Sequence, residues 1–232
     1  MSDPQLIRYR FDLPDGSRKT LDFRFDPKDF RLRNPAPAEP PFWTELGFSQ
    51  CANCPLSKAE HAHCPAALQM ASAVETLQAL VSFDTVGVTV TQAERTIYAQ
   101  TSAQQALSSV LGLIMATAGC PWTDRLRPMA RFHLPFASEP ETVYRSICMY
   151  LLARELDGAD GSTGYAALEA LYRNLHLVNR DMSRRLGAAT RTDPARNAMA
   201  LLDAYTTLLP AALDSSLEEL KPLFGAWKAA VI

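Results

Sequence analysis

The chain has 232 residues, 47% of them hydrophobic and 21% charged, with a formal net charge of −2 and a pI near 6.1. That length can bury a substantial core, and no apolar stretch approaches the ~20 residues that span a bilayer. The near-neutral charge excludes the basic footprint of most nucleic-acid binders. The N-terminus, MSDPQLIRYRF, lacks the basic and apolar regions of a secretory signal. A cytoplasmic protein is expected.

The chain opens with period-2 alternation. Ile7, Tyr9, Phe11 and Leu13 alternate with charged residues over 6–13, as do Leu21, Phe23 and Phe25 over 20–26. Pro14-Asp15-Gly16 between them predicts a hairpin. Five prolines (27, 35, 37, 40 and 41) then exclude regular structure, so an extended connector is expected over 34–41. Phe42, Trp43, Leu46 and Phe48 follow, and are read as anchors pinning the connector in the core.

Residues 65–80 carry apolar positions for one helix face, and 85–91 with 95–100 read as a second hairpin. A helix over 103–118 is apolar nearly all round, which predicts a central buried element. Thr101 or Ser102 is placed to cap it, and Gly119 and Pro121 to end it. An irregular loop follows to Ala137. Four helical stretches complete the chain, over 139–156, 165–185, 194–209 and 217–231, the last interrupted by Pro222.

The expected fold class is α+β, with two N-terminal β-hairpins packed beside a mainly helical body. The whole chain, 1–232, is read as one domain. Within it, 1–33 is hairpin and connector, 34–64 a Pro-rich and Cys-rich loop, 65–137 the helix, second hairpin, buried helix and Arg-rich loop, and 138–232 the helical part.

Five cysteines, an odd number without a secretory signal, argue for a reducing compartment. Three lie within fourteen residues. Cys51-Ala-Asn-Cys54 is a C-x2-C pair whose tight turn presents two thiolates to one ion. Cys51, Cys54, His61 and Cys64 form C-x2-C-x6-H-x2-C, a complete four-ligand set. Cys120 competes with His61 for the fourth place, and His63 is a third option. Cys54, Cys64 and Cys120 are each followed by proline, as in cluster-binding ferredoxin motifs. Four N/S ligands suit a closed structural zinc site; four thiolates would also suit an iron–sulfur cluster. A redox dithiol and a set of free thiols are the remaining readings.

The tract 120–137, CPWTDRLRPMARFHLPFA, sets Arg125, Arg127, Arg131 and His133 among aromatic and apolar residues. Guanidinium forks match oxyanions, which makes an anion-binding enzyme site one reading. The other, favoured here, is a loop whose apolar residues fill the core while its arginines meet nearby carboxylates. Cys148 is expected in the core and His176 as a structural histidine. The run Arg180, Arg184, Arg185, Arg191 and Arg196 reads as a solvated helix end.

Phe42-Trp43, the segment QCANCPL at 50–56, HCP at 63–65, LGLIMATAGCP at 111–121 and RPMARFHLPF at 127–136 together give the chain a familiar look. Over 42–150 it resembles a family of uncharacterised bacterial proteins. The resemblance implies a bacterial cytosolic origin and no particular activity. The leading expectation is a cytosolic metal-binding protein without catalytic residues, holding zinc or, alternatively, an iron–sulfur cluster. It would act by binding or regulation through a protein partner, with neither membrane nor nucleic acid involved.

Overall fold

A computed structural model describes residues 5–158, 164–189 and 193–225. The alternating segments form β1 (Gln5–Asp12) and β2 (Arg18–Phe25). Gly16 supplies the positive φ (80°) that their turn requires. Pro65 starts α1 (Pro65–Leu77), and the second hairpin is β3 (Thr85–Thr91) and β4 (Thr96–Ser102). α2 (Ala103–Met115) follows at once, its N-terminus capped by the Ser102 hydroxyl, which accepts from the Gln105 amide.

The two hairpins are not separate. They join into one antiparallel four-stranded sheet in the order β2-β1-β3-β4. Register explains the union: Tyr9 lies opposite both Leu21 and Val90, and Phe11 opposite Val88. Ile7, Tyr9, Phe11, Leu21, Phe23, Phe25, Val86, Val88 and Val90 are all buried, so a single apolar face runs across three strands. On the other face Arg8 pairs with Asp22 directly across the ladder at 2.7 Å. α2 packs against β3, β4 and α1 and is buried along most of its length, as its all-round apolar sequence demands.

Residues 120–137 are more regular than expected: a 3-10 turn (Thr123–Leu126) leads into the short α3 (Arg127–Arg131). α4 (Glu139–Leu156) begins with a capping box between Ser138 and Glu141. α5 runs Ala166–Ala189 and α6 runs Pro194–Leu220, packed on each other and, through α6, on α2. Three expectations change here. The predicted break after Leu209 is absent, because α6 continues through Pro210 on the support of its packing partners. Of the last predicted helix, the described residues hold the end of α6 and a 3-10 turn (Lys221–Phe224), while Trp227 and Val231 lie outside the described residues. Cys148 is exposed rather than buried, because α4 turns only the narrow stripe Val143, Ser146 and Ile147 inward; Leu151, assigned to the buried stripe, is likewise exposed.

Among the described residues, no helix is long and apolar enough to cross a membrane.

Candidate functional site

The cysteine loop is assembled by backbone hydrogen bonds before its side chains matter. The connector is pinned first: Asn34 accepts from the Arg24 amide at 2.8 Å and donates to the Asp22 carbonyl at 2.6 Å. Trp43 and Leu46 are buried, as anchors should be, whereas Phe42 is exposed and meets Phe48 edge-on. The Leu46 amide donates to the Ala62 carbonyl and the Cys64 amide to the Thr44 carbonyl, so the loop closes on itself as a small bridge.

The C-x2-C turn closes with the Cys54 amide on the Cys51 carbonyl at 3.0 Å. Three outside contacts hold this turn. The Ala52 amide donates to Asp181 on α5 at 2.9 Å, the Asn53 side chain donates to Asn174 on α5, and the Trp122 indole donates to the Asn53 carbonyl at 2.7 Å. Asp181 is buried, which opposes its ionisation, but the Ala52 amide and the guanidiniums of Arg180 and Arg184 outweigh this and hold its carboxyl below the usual range. Trp122 also brings the segment after α2 against the turn, and with it Cys120.

Cys64 sits at the N-cap of α1, where the nearby Ala66 and Ala67 amides favour its thiolate although its side chain makes no capping hydrogen bond. Burial nonetheless pushes the Cys64 thiol up, against the opposing pull of those amides and of Arg185. The Cys51 thiol is pushed up to about 12, chiefly by burial and then by the neighbouring groups Cys64, Cys120, Asp181 and Cys54. Cys51, Cys54, Cys64 and Cys120 thus share one neighbourhood. His61 is exposed and is not among the groups acting on Cys51, while His63 bonds to the Thr44 hydroxyl at 2.8 Å through Nδ1. Among the described residues, no three Cys, His, Asp or Glu side chains converge on a single ion-sized point.

The residue that sequence reasoning misplaced is Arg185. It is not part of a solvated helix end: it is 1% exposed. α5 extends a further turn, and Arg185 falls on the same inward face as Val178, Met182 and Leu186. Its guanidinium donates to the carbonyls of Trp43 at 2.6 Å, Glu45 at 2.7 Å and Leu46 at 3.3 Å, while its buried Nε has no partner. Among the described residues no carboxylate lies within ion-pair reach of it. The spacing Val178–Met182–Arg185–Ala189 was the available signal.

Of the arginines in the 120–137 tract, Arg127 meets carboxylates as the favoured reading expects, whereas Arg125 and Arg131 lie over aromatic rings instead. Arg127 pairs with Asp124 and donates to the Asp29 carbonyl, and Arg125 and Arg131 lie over Trp122 and Phe30. His133 goes inward instead. Its Nε2 is 2.5 Å from the Tyr9 hydroxyl, which also meets Ser109 Oγ at 2.8 Å. Burial, aided by the charge of Arg145, lowers the His133 pKa to about 3, and burial pushes the Tyr9 hydroxyl far above its ordinary value. An unfolded histidine titrates near 6.5, so between that pH and about 3 the unfolded chain binds the extra proton. Stability is therefore lost as pH falls through this window, with a slope of up to about 1.4 kcal/mol per pH unit from this group. Urea midpoints measured from pH 4 to 7 should fall less steeply for His133→Gln than for the wild type; parallel curves would refute a histidine buried in its neutral form. His176 is structural, bonding Asp203 at 2.8 Å.

No curated protein and no solved structure matches the chain. A family model does match, over residues 7–225, nearly the whole of the chain and including all four clustered cysteines. The protein belongs to the family described as a domain of unknown function, DUF6901.

Proposed function

We propose that this is a metal-binding protein in which Cys51, Cys54, Cys64 and Cys120 hold one metal centre. The observation that carries this is the setting of Arg185. A buried guanidinium with no carboxylate partner is costly, and three carbonyls only partly offset the cost. Four thiolates around a divalent ion carry net negative charge and would supply the missing counter-charge beside Cys64. The donor chemistry fits as well: the C-x2-C turn, a thiol at a helix N-cap and the Ala66 and Ala67 amides are features that stabilise thiolates.

A zinc ion held this way is closed, with no coordination position left for a substrate, which supports a structural role and action through binding or regulation. The centre would tie the Cys loop to the start of α1 and to the segment after α2. A second reading, an iron–sulfur cluster, is favoured by the all-sulfur donor set and by proline after three of the four cysteines. Elemental analysis and an absorption spectrum of protein purified without air test both. About one zinc per chain in a colourless solution supports the first reading. Iron with acid-labile sulfide and visible absorption supports the second. Protein free of both metals, and unable to take up either on reconstitution, overturns the proposal.

A further inference from the structure

A cavity of about 380 Å³ lies between α2, α3, α4, α5 and α6, and none of the four clustered cysteines lines it. Its size is that of a small-molecule site. Leu113, Leu126, Met129, Leu134, Leu175 and Leu202 form apolar walls. Polar side chains line the rest, among them Arg145, His133, Tyr172, Asn179 and Thr206. Arg145 is half-buried on α4. Its Nη2 is fixed by the carbonyls of Met129 at 2.7 Å and Phe132 at 2.9 Å, which aims the guanidinium and leaves Nε and Nη1 without partners among the described residues. Among the described residues no carboxylate pairs with it directly, though Glu141, one turn earlier on α4, favours the charge that burial opposes. His133 lies in the same wall with its Nε2 on the Tyr9 hydroxyl.

A third observation is independent of these. The segment between α3 and α4 borders the cavity, and within it Phe136 has φ 61°, a left-handed conformation that a bulky side chain adopts only under constraint. Such strain concentrates at ligand clamps and active sites.

We propose that this cavity binds a small monocarboxylate with an apolar body, of the size of a medium-chain fatty acid. The carboxylate takes charge-assisted hydrogen bonds from the free donors of Arg145, and the body lies along the leucine and methionine walls. A phosphate would bring more negative charge than Arg145, the one full cation among the described lining residues, can meet, and a neutral lipid would gain nothing from the guanidinium. The site is separate from the metal centre, so either proposal can fail without the other.

Calorimetric titration and thermal melting of the full chain with octanoate, octanol and octylamine decide the matter. Octanoate should bind at one per chain and raise the melting temperature, octanol should bind at least about tenfold more weakly, and octylamine should not bind. Arg145→Met should erase the preference for the acid over the alcohol. Leu202→Trp, which fills the cavity and leaves Arg145 in place, should abolish binding of both. Failure of octanoate to bind, equal affinity for octanoate and octanol in the wild type, or undiminished octanoate binding in Leu202→Trp would each overturn the assignment. The wild-type series and Leu202→Trp suffice should Arg145→Met fail to fold.

Discussion

Cys51→Ser and Cys120→Ser should each release the metal and lower stability by several kcal/mol, whereas His61→Ala should do neither. The expectation rests on linkage: structural metal binding appears as folding free energy, because the unfolded chain has no preformed site. Cys51 and Cys120 lie on different segments, the first on the loop held by α5 and the second beyond α2, so losing either removes the same tie between them. His61 is exposed in the loop, and its removal leaves all four sulfurs in place. Metal content by elemental analysis and unfolding midpoints in urea read both effects. Retention of stoichiometric metal in Cys120→Ser with its loss in His61→Ala would instead assign the fourth place to the histidine.

Arg185→Met is expected to cost about 3 kcal/mol in the metal-loaded protein, and less once the metal has been stripped. Part of the loss is common to both states, since the carbonyls of Trp43, Glu45 and Leu46 lose their donor. The remainder belongs to the loaded state alone, where the guanidinium offsets the charge of the thiolates. Arg185→Lys should recover some of that second part, since it restores a cation but not the planar fork that reaches three carbonyls. Comparing the variants' unfolding free energies with and without metal separates the two contributions. Equal losses in both states would show that Arg185 acts only as a clamp for the 43–46 backbone.

Much of this was legible in the residues. Alternation marked β1, β2 and β3, and Gly16 and Ser102 marked a turn and a helix start by conformational need and hydrogen-bonding capacity. The joining of β1 to β3 was not legible, since a hairpin is set by local turn chemistry whereas that pairing depends on two distant apolar faces finding one core. The expected helix ended at 209, just before Pro210, a residue that local rules disfavour inside a helix; packing against α5 and α2 carries α6 through it. At the candidate site, spacing singled out Cys51, Cys54 and Cys64 and left His61 and Cys120 competing for the fourth place; of these two, only Cys120 is among the groups acting on Cys51 in the fold. Trp122, by reaching the Asn53 carbonyl, brings Cys120 into the neighbourhood. Arg185 was hidden by its surroundings in sequence: among four other arginines it looked like solvent-facing charge, and only its helical phase distinguished it.

The β1–β3 ladder also sets the order in which the molecule can be completed. Both hairpins close over short chain separations and form fast, but joining them requires the connector, the cysteine loop and α1 to be gathered into one long loop. Cys51, Cys54 and Cys64 all belong to that loop. Cys120 arrives only after α2 has docked on the completed sheet. A cation captured early would therefore be held by three thiolates and remain exchangeable, becoming trapped only in the last step of folding. On the proposed reading, metal retention is a late-folding event, and chelator resistance during refolding would report directly on the docking of α2.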